Sequence, residues 1–535
     1  MYHVTLQCET AMQSPLLKHE LEEGLLLIPQ ISKSDGELII VTVHDSILIV
    51  REMPSQTLED VRSQHHGLII LPNVELYDLL AQRWSPNEEG KPQVIFQPVR
   101  EADVGLAISY AVANDLDVAV ANGGHSFLAA SSTVGGVQID MRRMRMAYVN
   151  NERFGADGIL TIEGGAIVSD VAGACEKRGT YITLPSHKEI GYVGFTLGGG
   201  GGWGLGHQGL SIDLLLEARI ALASGQVVTA SENENPGLFW AVKGAGYNFG
   251  VVTGMKFKVK GLTTRVFSGC IVYPQTSYED VFLAMEKYVA QQQEEDMVSF
   301  VLTPFLPGVP APEALVAIPY YHGDDEQEAR RRFKVFFDVP HIEAKVGLMW
   351  SHQTADLFPE ALWPRTNRLS NGTVCTRLSP DIWLPVIDDL RKWWEVDPSR
   401  RAGTQFFLGL YNWRKTLTGG ESSSAWPPSR DPPDDAGNVG GSWRDFAVYI
   451  GYDDLAEADA ARDYALLVVD NLRTSHTEFV GGDVIKDGVY PNAGAMRHFK
   501  GDYIYKENYP RLQEIKAKYD PGNVFNKKHP IEPKQ

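Results

Sequence analysis

Val120-Ala121-Asn122-Gly123-Gly124-His125-Ser126 is the stretch from which the rest of the chain is best read. A short apolar run, ending at Ala121, breaks into two adjacent glycines followed by a histidine. Without Cβ atoms in the way, successive backbone N–H groups can converge there into a nest that suits a pyrophosphate. Gly-Gly turns are common, however, and the same residues describe a tight turn carrying a surface histidine. The neighbouring sequence has to decide between the two.

Working outward, PQVIFQP (92–98) reads as a strand, and the segment 100–116 places Val104, Ile108, Ala111 and Val112 on one helical face, with acids in its first turn. GGVQIDM (135–141) and GILTIEGG (158–165) are further strands, and AIVSDVAGACEKRG (166–179) is a helix closed by Gly179. Alternating elements of this kind predict an α+β layered domain. A glycine-dense block, GYVGFTLGGGGGWGLGHQG (191–209), comes next. A dinucleotide turn of the GxGxxG kind needs one such motif between a strand and a helix, with an acid about 20 residues on. This block is too rich in glycine for that helix, but it would let a flat group lie against backbone. Phe195, Leu197 and Trp203 distinguish it from a flexible linker. Beyond it stand two strands in 214–231, a helix opened by Pro236, and the strand FGVVTGMKFKV (249–259).

The bulk properties limit the classes of function. At 535 residues, two or more domains are expected. A formal charge of −19 argues against nucleic acid as a partner, because phosphate backbones call for clustered positive charge. Cys8, Cys175, Cys270 and Cys375 are widely spaced, so neither a metal cluster nor a disulfide framework is expected. The first residues lack a basic segment leading into an apolar run, and Glu37–Val50 is too short and polar to span a bilayer. The expectation is a cytoplasmic protein with no membrane partner.

LIIVTV and SILIVRE, on either side of His44-Asp45, predict a hairpin within an N-terminal extension, 1–72, to which no chemistry attaches. From 263 to 470 the chain turns to longer amphipathic helices, more aromatics and a strand-like FFLGLY (406–411). The stretch 416–441, rich in Pro, Gly, Ser and Asp, reads either as a mobile lid or as an unstructured connector. A terminal helix over 508–523 places Leu512, Ile515 and Tyr519 on one side.

The order of these signals is their most specific property: strand-GGHS, the glycine block, LFWAVKGAGYNFGVVT, and finally YPN and KYDPGN. In that order the chain resembles the berberine bridge enzyme-like oxidoreductases, whose FAD domain is shared with vanillyl alcohol oxidase, and the fungal secondary-metabolite members in particular. The resemblance is strong over about 73–262 and clear over 485–531. It implies a two-subdomain FAD-binding domain of the PCMH type at 73–262, an α/β substrate domain with an antiparallel sheet at 263–470, and a C-terminal segment, 471–535, that returns to the FAD domain.

It further implies FAD bonded covalently through His125, with backbone of Ala121, Asn122, Gly123, Gly124 and Ser126 at the pyrophosphate. Thr196, Gly198, Gly199 and Gly200 would approach the flavin and its chain, Gly250, Val251 and Val252 the adenine side, and Tyr490 and Asn492 the flavin. Many plant members carry a second tether, a cysteine before the glycine block. His187 stands there in this sequence, so a single tether is implied, and no metal. Family members remove a proton from a substrate alcohol, phenol or amine with a Glu or Tyr of the substrate-domain sheet. No Glu presents itself in FFLGLYNWRK, which leaves Tyr411 and Tyr449 as candidate bases, with Tyr452 also available, provided that a cation such as Arg414 or Arg444 depresses a phenol's pKa.

The expected activity is oxidation of a hydrophobic or aromatic small molecule with O2 as acceptor, in secondary metabolism. A dehydrogenase of the same fold using another acceptor, and a non-catalytic flavin- or metabolite-binding protein, are the alternatives.

Overall fold

The computed structural model describes residues 38–43, 46–51, 56–126, 129–262, 265–304, 313–357, 366–375, 377–412, 423–426, 444–480, 490–492 and 501–535. The chain divides into two units, Met1–Thr57 and Leu58–Gln535. In the first, strands Leu38–Val43 and Ser46–Arg51 pair antiparallel with Val43 opposite Ser46, which is the hairpin expected from sequence. The second unit begins earlier than the expected boundary at 72. Leu68–Ile70 is already an edge strand, paired antiparallel with Val94–Gln97.

That edge strand opens a four-stranded sheet. Val94–Gln97 and Val118–Ala121 each pair parallel with Val137–Asp140, and helix Glu101–Ala113 buries Val104, Ala107, Ile108 and Ala111 in the core beside it. A parallel sheet of short strands buried on both faces explains the nearly continuous apolar runs read in the sequence. A second sheet, antiparallel, runs in the order Val227–Ser231, Leu215–Ala221, Val251–Gly261, Gly158–Glu163, Ala147–Asn151. The glycine block lies between two short helices, Tyr192–Leu197 and Leu205–Gln208.

The third sheet has seven antiparallel strands in the order Glu343–Met349, Val266–Tyr273, Ala314–Tyr321, Asp296–Thr303, Gln405–Leu410, Arg444–Tyr452, Asn367–Cys375. Side chains alternate between faces with a period of two. On one face Val298, Phe300, Leu302, Phe446, Val448 and Ile450 join Trp383 and Leu472 from helices Pro380–Val396 and Ala458–Val480 in a single core. The opposite face carries Phe407, Asp445, Ala447 and Tyr449 into a cavity. Helix Ala458–Val480 runs through the boundary expected at 470, because its apolar stripe packs on that same sheet.

Most of 416–441 lies outside the described residues, but 423–426 does not. Ala425 and Trp426 are buried, the Ala425 N–H donates to Lys243 O at 2.9 Å, and Trp426 packs against Tyr490 with ring centroids 5.3 Å apart. At these four residues the lid-or-connector expectation gives way to an anchored segment. The terminal helix, Tyr509–Tyr519, buries Leu512, and it also buries Lys516, whose ammonium donates to Asp520 at 2.6 Å, to Asn248 O and to Phe525 O. Among the described residues no helix is long and apolar enough to cross a membrane.

Candidate active site

A cavity of about 350 Å3 runs from the end of strand Val118–Ala121 to the third sheet. Such a volume is in the range of small-molecule and cofactor sites. Its wall contains Asn122, Gly123, Gly124, His125 and Ser126; Gly250, Val251 and Val252; Tyr490 and Asn492; and Tyr411 and Tyr449. The sequence motifs therefore converge on one space. Ala121 ends its strand in the core just behind that wall.

The turn is fixed by Asn122, whose Nδ2 donates to Gly164 O at 2.9 Å and to Ala166 O at 3.2 Å. A Cβ on Gly123 would stand 2.3 Å from both Glu189 O and Gly191 N, so only glycine lets the two loops approach this closely. Beyond it the His125 imidazole stacks on Trp84, with centroids 5.7 Å apart and planes at 22°, and leans on His187 at 5.2 Å. Burial, and then the neighbouring His187, push the His125 pKa down to about 3. The imidazole is neutral at physiological pH, with a lone pair available for bonding. His125, His187 and Glu189 also bring ligand atoms within 4.8 Å of one another, a donor set compatible with a metal ion.

The glycine block is placed differently from expectation. The Thr196 hydroxyl bonds to Tyr192 O and Ser211 Oγ, both at 2.9 Å, inside the core. Gly198 backs onto the C-terminal segment: a Cβ there would lie 2.2 Å from Asn492 Oδ1. Gly199 faces Trp426 and Gly200 faces Ser211. These four residues make room for other parts of the protein, while Gly191, Gly194, Phe195, Leu197, Gly201, Gly202 and Trp203 form the cavity wall. The C-terminal segment is joined to that wall. The Gly201 N–H donates to Tyr490 OH at 2.7 Å, Asn492 Nδ2 donates to Phe195 O at 2.7 Å, and Tyr247 OH lies 2.6 Å from Asn492 Oδ1 and 2.9 Å from Gly194 O.

At the sheet end, burial raises the phenols of Tyr411 and Tyr449 above their ordinary range, with Asp445 adding to it. Both are neutral hydroxyls at physiological pH, so neither has the depressed pKa that a base role required. Arg444 cannot supply the depressing charge, because strand alternation turns it to the face opposite Asp445 and Tyr449, and Tyr452 lies on the helix-covered side. Arg414 lies outside the described residues. The cation beside Tyr449 is instead Arg368, fully buried, its guanidinium 4.4 Å from the Trp84 ring.

Sequence reading missed Asp445. Its carboxyl lines the cavity, burial pushes it up to about 7, and its Oδ1 has no hydrogen-bond partner among the described residues. The signal was there: Asp445 has the same strand parity as Tyr449. Lys528 was missed as well; burial pushes its ammonium down to about 7 within the same wall.

Comparison with known proteins agrees with this geometry. Residues 92–231 match the FAD binding domain family, and residues 485–532 match the berberine and berberine-like family. The FAD-linked oxidoreductase pgmH of Aspergillus terreus is 29% identical over 90% of this chain and 97% of its own. The structure of 6-hydroxy-D-nicotine oxidase from Arthrobacter nicotinovorans shares the fold with a TM-score of 0.72, at 21% identity, covering 90% of this chain and 100% of that one. Glucooligosaccharide oxidase from Acremonium strictum, described with a 6-S-cysteinyl, 8α-N1-histidyl FAD, gives a TM-score of 0.70 at 18% identity, covering 89% and 98%.

Fold and site together define an FAD-linked oxidoreductase. Residues 92–231 and 485–532 carry an FAD binding domain and a berberine-like segment, as such enzymes do. Its residues fit the cofactor. Asn122 Oδ1 is buried in the cavity wall without a hydrogen-bond partner among the described residues, the Gly123 turn admits close backbone approach, and a neutral imidazole and a buried ammonium face the same space.

Proposed function

We propose that the chain is an oxidase of a hydrophobic or aromatic alcohol, phenol or amine, using FAD bonded covalently through His125 alone and O2 as final acceptor, in secondary metabolism. The observation that carries this reading is Asp445, a carboxyl with a pKa near 7 that is open to the same cavity as His125. A general base works best when its pKa lies near the operating pH.

The turn at Asn122–Ser126 and the glycine-rich wall would hold the cofactor, and His125 would tether it. Bound there, FAD supplies a two-electron sink that passes its electrons on to O2, giving H2O2. Asp445 takes the proton from the substrate's O–H or N–H as a C–H bond on, or conjugated with, that heteroatom's carbon gives up its hydride to that sink. Tyr411 and Tyr449, as neutral phenols, donate hydrogen bonds that orient the substrate heteroatom. Phe407, Ala447 and Trp203 give the cavity an apolar lining, and this supports an apolar substrate. The relatives named as oxidases of 6-hydroxy-D-nicotine and of glucooligosaccharides support oxidase chemistry.

The test is acid precipitation of purified protein with mass measurement, followed by anaerobic reduction with a panel of aromatic alcohols and amines and exposure to air. A yellow pellet heavier by one FAD, and rapid reoxidation with peroxide release, are expected. A reduced flavin that persists for minutes in air would assign the chain to the dehydrogenases of this fold.

A further inference from the structure

Lys528 is an amine held inside the cavity wall against neutral groups. Its Nζ donates to Tyr247 OH at 3.3 Å and to Asn492 Oδ1 at 3.2 Å, and it lies 4.3 Å from the centre of the Tyr247 ring. Among the described residues no carboxylate lies within ion-pair distance of it. The neighbouring lysine of the wall, Lys527, is by contrast paired with Asp117 at 2.5 Å. Both partners of Lys528 are fixed to the glycine-rich wall, Tyr247 through Gly194 O and Asn492 through Phe195 O. A buried ammonium without an anion is costly, and the cost is relieved when an anion arrives.

We propose that the Lys528 ammonium is the counter-charge of the FAD pyrophosphate, the only anionic group of the oxidised cofactor. The assignment rests on the reading of this cavity as the FAD site.

The electrostatics support it. Burial pushes Lys528 down to about 7, so near neutrality a large share of the molecules carry it uncharged. The titratable groups around it do not change charge there. Burial and Lys528 push His529 down to about 3, and burial raises Tyr247, Tyr490 and Tyr505 above the ordinary phenol range. An arriving diphosphate favours the charged ammonium, so binding above pH 7 draws one proton from solution onto Nζ.

The experiment uses the full-length apoprotein with His125→Ala, which removes the tether and makes cofactor binding an equilibrium. FAD and riboflavin are each titrated into this parent and into the same protein with Lys528→Met or Lys528→Arg. At pH 8 the FAD titration is repeated calorimetrically in two buffers of different ionisation enthalpy. Expected are FAD binding about 10- to 100-fold weaker in the Met variant, riboflavin binding unchanged, and about one proton taken up by the parent at pH 8 but none by the Met variant. Lys528→Arg, charged at every pH, should restore FAD affinity without proton uptake.

Equal losses for FAD and riboflavin would place the ammonium at the ring system or show a packing role, and so overturn the assignment; so would unchanged FAD affinity in the Met variant. If the Met variant fails to fold, Lys528→Arg decides alone: proton uptake equal to the parent's overturns the proposal. A parent that binds riboflavin but gains nothing from the diphosphate of FAD overturns it too, whereas a parent that binds neither sinks the cofactor reading itself.

Discussion

Trp84 lies stacked on His125 at 5.7 Å and carries the Arg368 guanidinium at 4.4 Å, so the imidazole is braced through one indole by an arginine from strand Asn367–Cys375 of the third sheet. The Trp84 backbone N–H also donates to Gly124 O at 3.1 Å, fixing the backbone just before His125. On the proposed tethering, His125 has to meet one carbon atom of the cofactor and gains from such bracing, because misplacement by about 1 Å can cost roughly 100-fold in rate.

Removing the imidazole with His125→Ala should therefore leave no acid-stable flavin. Trp84→Leu should keep the imidazole but slow its attachment several-fold. In-gel flavin fluorescence after denaturation, followed over time once FAD is added to apoprotein, reads both. Attachment in Trp84→Leu at the parent rate would remove the indole from the account.

Asp445→Asn should lower kcat by about 100- to 10,000-fold, the usual worth of a positioned base. Since only the carboxylate accepts a proton, kcat/KM of the parent should fall as the pH drops through about 7, and this limb should be missing from the Asn variant's residual activity. Tyr449→Phe should cost less and keep the limb, having lost an orienting hydroxyl.

The same substitution should stabilise the apoprotein at high pH. Burial raises the Asp445 carboxyl from the usual range near 4 to about 7. Between those values the folded protein retains a proton that the unfolded chain has released, so stability falls as pH rises through this window. A gap of about three units amounts to roughly 4 kcal/mol at most. Asp445→Asn should thus raise Tm at pH 8 and leave it nearly unchanged at pH 4, as differential scanning calorimetry would show. A gain of equal size at both pH values would mean that charge burial is not its source.

Trp426→Ala should destabilise the fold by about 3–5 kcal/mol, the cost of deleting a large buried side chain. Trp426 is 1% exposed and packs on Tyr490. Flavin retention should therefore fall together with Tm. Thermal melts with and without added FAD separate the two effects: lost stability with undiminished retention would leave Trp426 a role in the core only.

The parts of the site that were legible in sequence are those carried by contiguous motifs. His125 follows two glycines at the end of a strand, and Tyr490 and Asn492 stand two residues apart, so the family resemblance, which rests on such contiguous motifs, could point to them. The packing of Thr196 and Gly198–Gly200 was not legible, because composition shows that a backbone can approach something, but not whether that is a ligand, Asn492 or Trp426. Asp445 was hidden among apolar neighbours, although counting by twos from Tyr449 along RDFAVYI reaches it. Arg368 and Lys528 left no such trace. Their roles arise from pairings across hundreds of residues, as between Lys528 and Tyr247, 281 positions apart. The substrate sheet was legible as texture alone, since its order interleaves strands distant in sequence.

The bond between Gly201 and Tyr490 spans 289 positions. A ribosome adding about 5–20 residues per second leaves the glycine block waiting for some tens of seconds before its partner is made. Closure of this part of the wall therefore follows synthesis of the segment that carries Tyr490. Damage at Tyr490 would thus open a wall whose glycine block lies hundreds of residues away.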